Sequence, residues 1–130
     1  MTELLVALGV GVGAGVGAQL RYAVERVHAR ARTRRGLTVP TFPWATLTVN
    51  VVGSALLGLV AALVVRAGLD ARWLTVLGTG VAGGLTTFST LSLDLVELVR
   101  QRRYGTAALD VALHVVLGIG AAVGAFHLVP

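Results

Sequence analysis

Positions 83–91 read GGLTTFSTL, in the middle of a stretch from Trp73 to Leu93 that carries no charged residue. Two adjacent glycines and four hydroxyl residues surround a single phenylalanine, Phe88, where a membrane helix would lie deepest. Glycines at 78, 80, 83 and 84 weaken a helix, and Thr86 and Thr87 compete for its backbone hydrogen bonds. A break here would free carbonyls and amides that hydrocarbon cannot satisfy. Such groups persist only where they line a cavity, pack against protein or bind an ion. Broken helices with a ligand near the midplane are a recurring transport device. A plain kink braced by neighbouring helices is the other reading.

Further polar groups fall within apolar stretches. Asn50 stands in TLTVNVVGS (46–54), where a buried amide is either helix–helix glue or a pathway group. Arg21, at the end of the first apolar stretch, can snorkel or pair with an acid. Asp110 and His114 are four apart and share a helix face; a partly hydrated helix end with an interhelical hydrogen bond competes with a proton-coupled role. There is no cysteine, which excludes thiolate chemistry, disulfides and Cys-based metal sites. No nucleophile, base and metal-ligand constellation converges, so an enzyme is not expected.

The elements that must hold these groups are membrane helices. Only 13% of the 130 residues are charged and 55% are hydrophobic, against about a quarter charged in a soluble domain. Leu4 to Leu20, Trp44 to Val65 and Trp73 to Leu93 carry no charge, and Val111 to Val129 holds only His114 and His127. Each window approaches the roughly 20 residues a helix needs to cross a bilayer. The expected fold is an all-α integral membrane protein: one four-span domain over residues 1–130, with spans near 3–22, 43–65, 73–98 and 105–128 and the third helix broken near the membrane centre. The start, Met-Thr-Glu, lacks the basic region of a cleaved signal peptide.

Glycines also set the packing. GVGVGAGVGA (9–18) fits a loose dinucleotide fingerprint, but without a preceding strand that match is empty. Gly9, Gly13 and Gly17 form one row of spacing four and Gly11 and Gly15 a second, surfaces that let helices approach closely in lipid. Gly53, Gly58, Gly118, Gly120 and Gly124 add small surfaces on the second and fourth spans. Trp44, Trp73, Tyr22 and Tyr104 sit where an interfacial aromatic belt would lie, and Pro40 and Pro43 precede the second span, where proline is harmless.

All eleven basic residues are arginines. Nine lie in the connections after the first and third spans; only Arg66 and Arg72 lie on the opposite side. The positive-inside rule places the arginine-rich loops in the cytoplasm and both termini outside. The run ARARTRRG (29–36) then sets topology and touches anionic lipid, rather than binding nucleic acid.

Three segments, GAGVGAQLRY (13–22), WATLTVNVVGS (44–54) and GGLTTFST (83–90), agree in order and spacing with one family. The sequence resembles the Fluc/CrcB family of fluoride channels along essentially its whole length. The resemblance implies an antiparallel dimer of four-span subunits in the cell membrane and passive, selective fluoride export that protects the cytoplasm. It also implies one structural, untransported sodium ion at the dimer centre, held by backbone carbonyls at positions matching Gly83 and Thr86. Phe88 matches a pore phenylalanine whose ring edge faces fluoride. Asn50, Ser89 and Thr90 match polar pathway positions, Asp94 an acid near the pore mouth and Arg21 a family arginine after the first span.

Two features depart from the family pattern. The second pore phenylalanine falls at Leu91, which has no electropositive edge. The charge bias of nine against two is far from the balance that dual topology needs, so the expected partner is an oppositely oriented paralogue. A small multidrug-type exporter would need a buried carboxylate in the first span, where only Glu3 is present, at its extreme end. A non-conducting partner subunit is the other alternative.

Overall fold

The computed structural model describes residues 2–36 and 42–130, and its elements there are helices. They run Thr2–Arg34, Trp44–Ala67, Leu74–Ala82, Gly83–Leu85, Phe88–Arg100 and Tyr104–His127. The short pieces from Leu74 to Arg100 together form one apolar span, so four helical segments are long and apolar enough to cross a membrane. The chain is a multi-pass membrane protein. Its outer faces carry exposed Leu4, Leu8, Val12, Val116 and Ile119, the side chains hydrocarbon accepts.

The first helix does not end where its apolar window does. It continues to Arg34, so most of the arginines expected in a loop lie on helix instead. Alanine and arginine are strong helix formers, and no glycine or proline interrupts the chain between Gly17 and Gly36. At about 1.5 Å per residue these 33 residues span about 50 Å, well beyond the roughly 30 Å hydrocarbon core. The second helix starts after Pro43, with the Phe42 and Trp44 rings 4.6 Å apart. It ends at Gly68, whose left-handed φ of 70° lets two successive amides close on the Leu63 carbonyl. Pro40 lies outside the described residues.

Asp70 precedes the third span. It accepts the Arg72 amide at 2.9 Å and the Arg72 guanidinium at 2.5 Å, and that arginine holds its carboxyl down at about 2. The next nine residues, Leu74–Ala82, form a π-helix, and the Gly83 amide bonds the Gly78 carbonyl five residues back. Nothing in the sequence announced that wider winding.

Glycine does not break this span; it packs it. A Cβ on Gly80 would lie 3.0 Å from the Val10 carbonyl, one on Gly84 would strike the Ala14 backbone, and one on Gly17 would lie 2.6 Å from the Leu85 amide. The row Gly9, Gly13, Gly17 is therefore the seam between the first helix and the leading half of the third span. The second row is open: nothing stands within 4 Å of a Cβ on Gly11 or Gly15. We predict that Gly11→Ala and Gly15→Ala leave the melting temperature in detergent unchanged or slightly raised, because alanine is worth up to about 1 kcal/mol over glycine in a helix. A fall of several degrees would show that this face is covered in the assembled protein. Gly58 plays the seam role between the second and last helices, against the Ala122 backbone.

Candidate functional site: the break in the third span

The break occupies two residues, both threonines. Thr86 and Thr87 are extended, with φ/ψ of −74°/157° and −150°/118°, and helix resumes at Phe88. The placement follows from side-chain chemistry. The Thr87 hydroxyl caps the new helix by accepting the Thr90 amide at 3.1 Å, and the Thr86 hydroxyl donates back to the Ala82 carbonyl at 2.9 Å.

Neighbouring helices satisfy the freed backbone. The Thr87 amide donates to Asn50 Oδ1 at 2.8 Å, and Asn50 Nδ2 donates to the Thr87 carbonyl at 3.2 Å. Arg21 Nη1 donates to the Thr86 carbonyl at 3.2 Å. In an unbroken α-helix the Thr87 amide would bond the Gly83 carbonyl. Here that donor has gone to Asn50, and the Gly83 carbonyl loses its partner four residues on.

The break opens into a groove of about 370 Å³, lined among others by Asn50, Gly83, Thr86, Thr87, Phe88 and Leu91. Phe88 is 82% exposed although it stands at the centre of the span. An aromatic ring left bare at that depth, beside an interrupted backbone ladder, is half of a site. Ser89 is exposed too, while Thr90 turns to a second cavity of about 660 Å³ on the arginine-rich side. That cavity is walled by Arg32, Arg35, Trp44, Thr46 and Asp94, with Glu25 and His28. The Thr87 hydroxyl lies 3.0 Å from Thr90 Oγ1 and 3.2 Å from Ser89 Oγ, so a ladder of hydroxyls links the two cavities. Asp94 accepts from Thr46 Oγ1 at 2.6 Å. Among the described residues no set of His, Cys, Asp and Glu converges as a metal site, and the oxygens on offer at the break are backbone carbonyls and the side chains of Thr86, Thr87 and Asn50.

A family model described as CrcB-like protein, Camphor Resistance (CrcB), matches residues 8–126. The chain belongs to the CrcB family. It is 42% identical over 118 residues to the fluoride-specific ion channel FluC 1 of Leifsonia xyli, covering 91% of this chain and 82% of that protein. Identity is also 42% over 123 residues with FluC 2 of Mycobacterium tuberculosis, covering 93% and 90%. With the FluC of Renibacterium salmoninarum it is 36% over 119 residues, covering 91% and 94%.

Within this CrcB chain the residues singled out from sequence fall in three places. Gly83, Thr86, Phe88 and Asn50 meet at the first groove, and Arg21 reaches the same break from the first helix rather than standing at a mouth. Thr90 and Asp94 line the second cavity. Ser89 stands between, on the hydroxyl ladder. Asn50 is committed to the Thr87 peptide, with one N–H to spare.

Two positions read differently from expectation. Asp110 is wholly buried, not at a hydrated helix end, and His114 Nδ1 sits 2.9 Å from the Asp110 main-chain carbonyl and 3.2 Å from its carboxylate, so the contact stays within one helix. Thr87, at the centre of the break, was not singled out as a site residue. Its signal was available: a threonine immediately before an amphipathic stretch is a candidate helix N-cap.

Proposed function

We propose that the chain is one subunit of a fluoride-selective channel that lets fluoride leave the cytoplasm passively, with a structural sodium ion at the centre of an antiparallel pair. The observation that carries this reading is the two-residue break with Phe88 bare beside it. The names of the CrcB relatives supply the ion.

Fluoride is small and strongly hydrated, so a path for it must offer hydrogen-bond donors and positive dipoles in place of water. Ser89, Thr90 and the spare N–H of Asn50 are such donors. The Phe88 ring edge carries the positive part of its quadrupole and attracts an anion without a formal charge to trap it. The Gly83 carbonyl, stripped of its helical donor, fits a hard cation that prefers oxygen. The Thr86 carbonyl has a second lone pair beyond the one Arg21 uses. Two carbonyls are too few for a sodium shell, so the ion needs a second subunit to complete it. When bound it would fix the two breaks against each other; the chain's own residues do the rest. Asp94, held by Thr46, stands at the cytoplasmic mouth, if the arginine-rich side faces inward as its charge bias directs.

Leu91 lines the same groove as Phe88 and has no electropositive edge. With nine arginines against two, this subunit inserts one way and pairs with an oppositely oriented paralogue. Leu91 also favours a second reading, in which this chain is the non-conducting member of the pair. Fluoride efflux from vesicles tests the pairing, and Phe88→Ile in the pair separates the two readings, since a non-conducting member would leave flux unchanged. The chain alone is expected to be silent, and the chain with a paralogue of reversed charge bias to conduct. Robust flux from the chain alone would overturn the heteromeric pairing. Leu91→Phe in the pair is expected to raise flux up to about twofold, by opening a second path; a fall would show that Leu91 is needed as it stands.

A further inference from the structure

Each helix that reaches the break carries a glycine one turn from the residue it sends there. Gly17 precedes Arg21 by four on the first helix, and a Cβ on it would press on the Leu85 amide and the Val81 carbonyl. Gly53 follows Asn50 by three on the second helix, and a Cβ on it would strike the Thr86 side chain. Glycine thus lets both helices come close enough for Arg21 and Asn50 to bond main chain rather than side chain. Between them these two side chains take the Thr86 carbonyl and both backbone groups of Thr87. The Thr86 amide keeps its bond to Ala82 at 2.9 Å, and the Thr90 amide is capped by Thr87 itself. Thr87 is buried, so its peptide groups lean on these protein partners.

We infer that Arg21 and Asn50 are positioning residues that build the break within a single chain, so that the oxygen cradle exists before any ion or second subunit arrives. Asn50 does more than brace it. By taking the Thr87 amide it removes the donor that an α-helix would give the Gly83 carbonyl. Without that side chain the shortest remedy for an orphaned amide at this depth is to close the helix, returning the Thr87 N–H to Gly83 and filling the cradle with its own hydrogen bond. The inference about the break stands on the geometry alone; the use of the cradle for sodium rests on the proposed function.

The test uses the full-length chain in lipid nanodiscs, with hydrogen–deuterium exchange of peptides spanning 83–90 and melting temperature, each in sodium chloride and in N-methylglucamine chloride. For the unmodified chain, exchange across 83–90 is expected to agree within about twofold in the two salts, because the ion does not make the break. Asn50→Leu is expected to slow that exchange by about tenfold and to abolish the sodium-dependent rise in melting temperature. If Asn50→Leu does not fold, Arg21→Gln, which removes the charge but keeps a donor, carries the test with a smaller change in the same direction. A tenfold change in the unmodified chain on removing sodium, or a variant that keeps both the original exchange and the sodium response, would overturn the inference. Absence of any sodium response in the unmodified chain would overturn the sodium reading, while the exchange of the variants still decides the clamp.

Discussion

Fluoride flux through the assembled channel falls by about one to two orders of magnitude when Phe88 is replaced by isoleucine, while the protein elutes and melts as before. Both halves of this expectation come from one fact: Phe88 is 82% exposed within its own chain. A side chain that packs against so little of its own fold contributes little to stability, so its removal should be silent there. Its ring lines the groove of the break. Aromatic electrostatic contacts are worth about 1 kcal/mol at exposed sites and about 2 or more where water is excluded. At about 1.4 kcal/mol for each factor of ten, losing that contact accounts for the expected drop. Isoleucine keeps apolar bulk and removes the quadrupole, so the substitution tests the edge rather than the volume. Flux within twofold of the unmodified channel would remove Phe88 from the path.

Gly17→Leu is expected to remove folded protein altogether. A Cβ at 17 would already lie 2.6 Å from the Leu85 amide and 2.9 Å from the Gly84 carbonyl carbon, and leucine adds three more carbons in the same direction. Overpacking usually costs about 1–3 kcal/mol when side chains can shift. Here both walls are backbone, so the first helix must withdraw from the third span and take Arg21 with it. Against a total stability of about 5–15 kcal/mol, that displacement is decisive. Size-exclusion chromatography in detergent checks it: the variant should aggregate or fail to accumulate, where Gly15→Ala, on the open row, runs as a sharp peak. A monodisperse Gly17→Leu protein would show that the seam is looser than drawn.

The four-span architecture and the interruption of the third span were legible in the sequence because both depend on composition. Charge segregation over windows of about 20 residues has few soluble explanations. Hydroxyls beside Phe88 in an uncharged stretch mark a place where the backbone leaves its ladder. The finer placement was not legible, because glycine carries two meanings that look the same in a sequence. Gly78, Gly80 and Gly84 read as weak points in a helix; in the fold they are points of contact, and the break falls after them on two threonines whose hydroxyls can terminate one helix and start the next. The sequence also left Asn50 open between glue and pathway. Its bonds to the Thr87 peptide need the second and third spans side by side, a relation that no local pattern encodes. The extension of the first helix to Arg34 shows the reverse failure: local propensity announced it, and charge drew attention away. Asp110 and His114 were legible as a pair on one face, whereas the complete burial of Asp110 comes from tertiary packing alone.

The most direct measurement is halide efflux from sodium-loaded proteoliposomes containing the chain and the oppositely oriented paralogue proposed for it, followed with fluoride- and chloride-selective electrodes. Rapid fluoride release is expected, with chloride release indistinguishable from protein-free vesicles and most of the fluoride release lost with Phe88→Ile. Fluoride retained by every pairing, or chloride leaving as fast as fluoride, would contradict it.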